Sequence, residues 1–337
     1  MSEFANKTVL VTGATGLIGS HLVKKLMNYG DVKVIALSRS ENKLKKGFSE
    51  YLGKDNFRII AQDASLPIDS IGEHLDYIFH AAGPIAGSVI REYPVDVILP
   101  NIMGTLNVIN YIKKQNQTQE IDCKLVVFSS ATVYSNLADH DVKVSEDNTS
   151  VADALDAVNA PYSESKRMVE VIAKAYAKQK GISAKIARFS YVYGFTQFMP
   201  STAFYEFVKT AMNGGDITLN NAGLPRRDNI YVDDAVDGLL TVALKGENGE
   251  SYNVSTSTES GNFAAVDEMA LIIADAVNKK KGTNVAVKYK NSGNGKRLPG
   301  IILDNQKLHD LGWCVKTSIV DGINETVELL MSNKATL

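Results

Sequence analysis

Lys7-Thr-Val-Leu-Val-Thr-Gly-Ala-Thr-Gly-Leu-Ile-Gly19 decides the fold. A β-branched apolar run feeds directly into Gly13, Gly16 and Gly19, and the pattern predicts an amphipathic helix from Ser20 to about Asn28. Glycines at this spacing let the backbone turn tightly, approach a pyrophosphate and pack helix against strand. The helix N-terminus then offers unpaired N–H groups to the anion. Glycine can also serve a strand-turn-helix connection solely through its freedom at positive φ, so the stretch takes its meaning from the strands and helices downstream.

The 337 residues are 45% hydrophobic, with a formal net charge of −2. That is an ordinary globular composition, large enough for one large or two moderate cores. Lys and Arg are spread along the chain, with no basic stripe for nucleic acid and no polybasic anchor for a membrane surface. A small-molecule partner is expected, with no nucleic acid and no membrane. Cys123 and Cys314 stand far apart and at no metal-ligand spacing, so neither a disulfide framework nor a metal site is expected. The opening Met-Ser-Glu-Phe-Ala-Asn has no basic or apolar leader pattern, and no stretch approaches the ~20 apolar residues that span a bilayer. The expected location is cytoplasmic.

Downstream of the first helix, Val32-Lys-Val-Ile-Ala-Leu37 reads as a strand buried in a parallel sheet. NAD-specific sites place Asp or Glu at its end for the ribose 2′-OH, whereas arginine accommodates a 2′-phosphate. This chain has Ser38 and Arg39, which lean towards NADP over NAD unless Arg39 is simply a solvated loop residue. Phe57-Arg-Ile-Ile-Ala61 is a third strand, followed by Asp63. Tyr77-Ile-Phe-His-Ala-Ala82 is a fourth, running into Gly83. His80 lies inside an apolar strand without a nucleophile beside it, so it reads as a core histidine rather than a base.

Residues 101–114 carry a helical pattern with a polar loop after it, and Leu125-Val-Val-Phe128 is a strand ending in Ser129-Ser-Ala-Thr-Val-Tyr134. Hydroxyls at the carboxyl end of a parallel strand sit where such sheets present catalytic groups, although they also suit a turn that bonds its own backbone. Residues 135–160 read as a long polar surface excursion. Pro161 then starts a helix that Gly181 ends. In that helix Tyr162 and Lys166 are four residues apart and share a face. An ammonium beside a phenol favours the phenolate, so the spacing predicts a tyrosine with a lowered pKa that exchanges a proton with a substrate hydroxyl. An ordinary solvated Tyr/Lys pair has the same spacing.

Together these segments resemble the extended short-chain dehydrogenase/reductase family, in its nucleotide-sugar branch. The resemblance rests on Thr12-Gly-Ala-Thr-Gly-Leu-Ile-Gly19, on Asn101 with Gly104-Thr105, on Ser129-Ser-Ala-Thr-Val-Tyr134 and on Tyr162-Ser-Glu-Ser-Lys166. It continues through Arg188-Phe-Ser-Tyr-Val-Tyr-Gly194, Arg227-Asp-Asn-Ile-Tyr-Val-Asp-Asp234, Arg297-Leu-Pro-Gly300 and Leu311-Gly-Trp313, and so covers nearly the whole chain. It implies an α/β fold with a doubly wound parallel Rossmann sheet and a smaller C-terminal substrate domain. The dinucleotide domain would comprise 1–190 plus 229–255, and the substrate domain 191–228 plus 256–337.

By the same resemblance Ser130 hydrogen-bonds the reacting hydroxyl, Tyr162 takes its proton, and Lys166 binds the nicotinamide ribose and tunes the tyrosine. The cofactor, NAD or NADP, is expected against Gly13, Thr15, Gly16, Leu17, Ile18, Gly19, Ser38, Arg39, Asp63, Ala64, Ala81, Ala82 and Asn101. A nucleoside-diphosphate sugar is expected against Thr132, Tyr191, Arg227 and Arg297, the two arginines on the diphosphate, where a planar guanidinium donates two parallel bonds. Either arginine could instead be a structural ion-pair partner. Dehydratases of the family carry Asp-Glu, and decarboxylases a Glu, where this chain has Ala131-Thr132. Ser-Ala-Thr is the pattern of the UDP-galactose 4-epimerase-like enzymes, so a 4-epimerase is expected, with an NADPH-dependent carbonyl reductase and a non-catalytic dinucleotide sensor as alternatives. Tyr191, Phe195 and the long loop before Tyr162 depart from the family pattern, all around the substrate. The resemblance also implies a homodimer through helices near 104–114 and 163–178.

Overall fold

The computed structural model describes residues 3–333 apart from 69–70, 84–86, 120–121, 135–139, 149–152, 222–225, 259–260 and 292–298. The chain runs β1 (Thr8–Thr12), α1 (Leu17–Asn28), β2 (Lys33–Ser38), α2 (Glu41–Gly47), β3 (Phe57–Ala61), β4 (Tyr77–His80), α3 (Gly87–Glu92), α4 (Val95–Gln119) and β5 (Lys124–Ser130). It continues with β6 (Val142–Val144), α5 (Ala160–Lys180), β7 (Ala184–Phe189), β8 (Tyr191–Tyr193), α6 (Ala203–Met212), β9 (Ile217–Asn221) and β10 (Arg226–Tyr231). The last elements are α7 (Val232–Lys245), β11 (Ser251–Val254), β12 (Phe263–Ala265), α8 (Val266–Lys281), β13 (Val287–Asn291), β14 (Ile301–Leu303), α9 (Gln306–His309) and α10 (Ile319–Ser332).

Seven strands form one sheet in the order β11-β7-β5-β4-β1-β2-β3. β1 pairs in parallel with β2 on one side and β4 on the other, and β2–β3 and β4–β5 are parallel as well. This is the expected doubly wound Rossmann sheet, and its strand order reverses between β1 and β4. In such sheets ligands bind beyond the carboxyl ends of the strands at the reversal. The central strands are buried on both faces: Val9, Leu10, Val11, Ile35 and Ile78 are fully shielded from solvent. Each such side chain contributes roughly 2 kcal/mol through burial, so the frame that carries the strand ends is rigid.

The chain forms two compact units. The first comprises Met1–Val133, Ala152–Arg188 and Val236–Tyr252 and holds most of the large sheet. The second comprises Tyr134–Val151, Phe189–Ala235 and Asn253–Leu337, with the small sheets β12-β10-β8, β13-β9 and β14-β6. The polar stretch 135–160 is not all excursion: β6 lies within it and pairs in parallel with β14, Ile301 opposite Val142. A backbone ladder with a strand 159 residues later, supported by Gly300 N–H donating to the Asp141 carboxylate at 2.8 Å, is invisible to local pattern. It draws Tyr134–Val151 into the second unit.

Two helices are longer than the sequence pattern indicates. α1 begins at Leu17 instead of Ser20, because the turn at Gly13 is complete within four residues and Gly16 becomes the N-cap. α4 begins at Val95, runs through Pro100 and continues to Gln119 across the stretch expected to be a loop. Its start is set by Pro94, whose carbonyl accepts from the N–H groups of Val97 and Ile98 at 3.1 Å each. Over Val95–Gln117 this helix is long and apolar enough to cross a bilayer by length and composition. Part of that apolar surface joins the core, where Val108, Ile109 and Ile112 pack with Leu125 and Val127 of β5.

Candidate active site

The glycine turn is a cradle that no side chain could enter. Gly13 adopts φ +66°, and a Cβ there would lie 2.8 Å from the Ala81 carbonyl carbon and oxygen and 2.9 Å from the Ala82 nitrogen. A Cβ on Gly19 would stand 2.4 Å from the Gly13 oxygen, and one on Gly16 3.2 Å from the same atom. α1 therefore starts hard against the ends of β1 and β4. No side chain caps its N-terminus and its first turn carries no acid, leaving N–H groups for an anion. Leu17 and Ile18 keep part of their surface exposed at that end.

Thr15 and Ser38 hydroxyls pair at 2.8 Å and tie the turn to the end of β2. Arg39 is exposed next to them. Asp63, past β3, accepts from the Ser65 N–H at 2.9 Å and the Ser65 hydroxyl at 2.8 Å. Burial opposes its ionisation, but these bonds and the Arg39 charge prevail and hold its carboxyl below the ordinary value. Ala64 is buried, and its carbonyl accepts from Asn107 Nδ2 at 3.1 Å. A dinucleotide fits this set: a glycine cradle closed to Cβ atoms, uncapped N–H groups and polar groups at the ends of β2 and β3.

His80 behaves as the core residue expected of it. It is 4% exposed, and its Nδ1 pairs with Thr12 Oγ1 at 2.9 Å. Burial, reinforced by the Lys166 charge, pushes its pKa down from 6.5 to about 3, so it is neutral and no general base at physiological pH. The unfolded chain takes up this proton below pH 6.5 and the folded chain does not until about pH 3, so stability is lost as pH falls through that window. At ~1.4 kcal/mol per unit the full loss approaches roughly 5 kcal/mol. Urea unfolding between pH 7 and pH 4 should show a smaller decline in His80→Gln than in the wild type. Equal slopes would refute this linkage.

Asn101, 1% exposed on α4, donates from Nδ2 to Ser165 Oγ on α5 at 2.9 Å, while its Oδ1 has no hydrogen-bond partner among the described residues. A Cβ on Gly83 would lie 2.4 Å from that oxygen and 3.6 Å from Lys166 Nζ. The chain after β4 thus passes over both groups, and again only glycine permits it.

The structure brings Ser130, Tyr162 and Lys166 together. Ser130 ends β5 and hydrogen-bonds the Tyr162 phenol. Lys166 is buried, donates from Nζ to the Phe128 carbonyl at 2.9 Å and sits 5.8 Å from the centre of the Tyr162 ring. Pro161 at the helix start and Gly181 in the left-handed conformation at its end delimit α5 as expected. The tyrosine is not tuned as the spacing predicted. Burial raises the Tyr162 pKa and the Ser130 bond only partly offsets it. The physical reason is that Lys166 is turned to the β5 carbonyl, and burial has lowered its own pKa to about 8 against the pull of Glu170. The Thr132 hydroxyl, one residue past the β5 end turn, is buried and has no partner among the described residues.

In the second unit, the Arg227 guanidinium lies over the Tyr191 ring at 5.2 Å, placed there by the parallel pairing of β8 with β10. Arg227 has no carboxylate partner among the described residues. The neighbouring Arg226 instead pairs with Asp141 at 3.2 Å and stacks on Phe263. Arg297 lies outside the described residues. The sequence reading missed Thr12, which holds His80, and Ser165, which holds Asn101. It also missed Glu170, legible in principle because it stands four residues past Lys166.

The seven-stranded sheet, its glycine cradle and the gathering of Ser130 of β5 with Tyr162 and Lys166 of α5 define the frame of a dinucleotide-dependent enzyme. Residues 9–255 match the family model described as the NAD dependent epimerase/dehydratase family, and the chain belongs to that family. UDP-glucuronic acid decarboxylase 1 of Danio rerio is 26% identical over 97% of this chain and 73% of its own length. An uncharacterized protein of Methanocaldococcus jannaschii is 31% identical, with 97% of each chain covered. The crystal structure of a UDP-glucose 4-epimerase from Thermotoga maritima with UDP-glucose superposes with a TM-score of 0.76 at 24% identity, covering 97% of this chain and 99% of its own. At that identity the likeness concerns the fold.

Proposed function

We propose that this protein is a nucleotide-sugar epimerase of the 4-epimerase type, working through transient oxidation of its substrate to a 4-keto sugar. The observation that carries the reading is the end of β5. Ser130 bonds Tyr162, beside which Lys166 sits, and Ala131-Thr132 stand where dehydratases and decarboxylases of the resembling family carry an acid. Without that acid, elimination has no proton donor at this position, and oxidation followed by reduction on the other face is what remains.

The chain's own residues do the following. Arg227, with no carboxylate partner among the described residues, takes the substrate diphosphate, and Arg297 is the second diphosphate-binding residue in this reading. Tyr191 and the Thr132 hydroxyl orient the sugar. Ser130 holds the reacting hydroxyl against the Tyr162 oxygen, which removes its proton and later returns one, with Lys166 Nζ 5.8 Å from the centre of the Tyr162 ring. The dinucleotide, when bound, supplies the hydride acceptor and returns the hydride, so nothing is consumed. Gly13, Gly16 and Gly19 with the start of α1 would hold its pyrophosphate, and Asn101 and Lys166 would hold its nicotinamide end.

The purified protein should interconvert UDP-glucose and UDP-galactose, or another 4-epimeric pair, by proton NMR, and mass spectrometry of the denatured protein should find retained NAD. Release of carbon dioxide from UDP-glucuronate would replace this reading with the decarboxylase one. The exposed Arg39 beside Ser38 favours a second reading, a reductase that consumes NADPH. Steady loss of NADPH absorbance with a keto-sugar would decide for it.

We also propose a homodimer. Leu99 and Met103 of α4 and Met168 and Val171 of α5 are all more than 40% exposed, and they lie three or four residues apart on two helices of the first unit that pack together. Val171→Lys should convert the dimer to a monomer in sedimentation velocity, and a wild-type monomer would defeat the proposal. The free Cys123 and Cys314 support a cytoplasmic location.

A further inference from the structure

One turn beyond Lys166 on α5 stands Glu170, 5% exposed, every lone pair of which is engaged from β5, β7 and β11. Its Oε1 accepts from Ser129 Oγ at 2.5 Å and Arg188 Nε at 2.9 Å. Its Oε2 accepts from Arg188 Nη2 at 2.7 Å, with Ser251 Oγ at 3.4 Å. A dry, bidentate ion pair of this kind is often replaceable by apolar side chains at no cost in stability, so stability alone does not account for it.

Its neighbours do. Three consecutive residues of β5 meet three consecutive turns of α5: the Ser130 hydroxyl bonds Tyr162, the Phe128 carbonyl accepts from Lys166, and the Ser129 hydroxyl donates to Glu170. Slippage at any of these contacts would displace the other two. The charges facing Lys166 are few. Among the described residues α5 contributes Tyr162 and Glu170, β4 contributes the neutral His80, β5 presents the Phe128 carbonyl and α4 the Asn101 amide. Arg188 of β7 is held on the Glu170 carboxylate at 2.7 Å.

We propose that Glu170 is a positioning residue for proton transfer, whose carboxylate keeps Lys166 an ammonium and, through Ser129, holds the end of β5 in register with Tyr162. The proposal rests on the reading of Ser130, Tyr162 and Lys166 as the catalytic set. Burial draws the Lys166 pKa down to about 8, and the Glu170 charge is the attraction that opposes it. Arg188, bidentate on Glu170, makes the buried carboxylate tolerable.

The test titrates Lys166 directly in the protein without added nucleotide, by competitive labelling with trace acetic anhydride from pH 6 to 10 and peptide mass spectrometry. In Glu170→Gln the Lys166 midpoint should fall by about one unit, the low end of what a neighbouring opposite charge is worth, since Glu170 stands one helical turn from Lys166. In the same variant the alkaline limb of kcat should move to lower pH while KM changes little. Should Glu170→Gln fail to fold, the apolar double variant Glu170→Met/Arg188→Met removes both charges together and should lower the midpoint likewise. An unmoved midpoint in any folded variant of the two overturns the proposal. Wild-type inactivity towards every 4-epimeric pair bears on the epimerase reading alone, because the labelling arm needs no turnover.

Discussion

Tyr162→Phe is expected to lose about 10³-fold in kcat, within the range that a positioned general base contributes, while substrate KM and dinucleotide affinity change little. The phenylalanine keeps the ring beside Lys166 and removes only the oxygen that Ser130 binds. Progress curves with the best 4-epimeric pair, together with dinucleotide titration by calorimetry, separate the two effects. Full turnover in the variant would dismiss the phenol as the proton acceptor and revive the non-catalytic sensor. The raised Tyr162 pKa sharpens the expectation. Burial makes the phenol harder to ionise than a free one, so the rate should climb with pH above neutrality until Lys166, near 8, loses its charge. A bell centred on the alkaline side of neutrality is the predicted profile, and a flat profile would contradict it.

Gly13→Ala should abolish tight dinucleotide binding. The backbone there is left-handed, and a new methyl carbon would stand 2.8 Å from the carbonyl of Ala81, a backbone group that cannot swing aside. Strain of this kind costs about 1–3 kcal/mol, and a displacement of about 1 Å at a positioning element costs about 10²-fold. Gly53→Ala is the control, since Gly53 is also left-handed at φ +86° but has nothing within 4 Å of its Cβ position. It should lose a little stability in thermal unfolding and keep its affinity. If both variants bind equally well, the cradle is not where the pyrophosphate lies.

The frame of this molecule was legible because its signals are local. A β-branched run before glycines, the recurrence of apolar strands and the four-residue spacing of Tyr162 and Lys166 are each contained within a few turns of chain. The helix ends at Pro161 and Gly181 were equally plain, as the chemistry of a missing N–H and a left-handed φ allows. The ladder of β6 with β14 was not legible, because its partners are separated by more than 150 residues and β6 has only three residues to show. Nor was the reach of α4, where Pro94 starts a helix that Pro100 fails to stop.

By itself the sequence determined the doubly wound sheet, the place of the glycine turn and the identities of Ser130, Tyr162 and Lys166, because backbone propensity and side-chain spacing act over short range. Only the tertiary structure decided the electrostatics. Solvent exclusion is a property of everything packed around a group, and it neutralises His80, raises Tyr162 and lowers Lys166. The fold also forms the buried Glu170–Arg188 pair, joining β5, α5 and β7, elements that no local pattern places in contact.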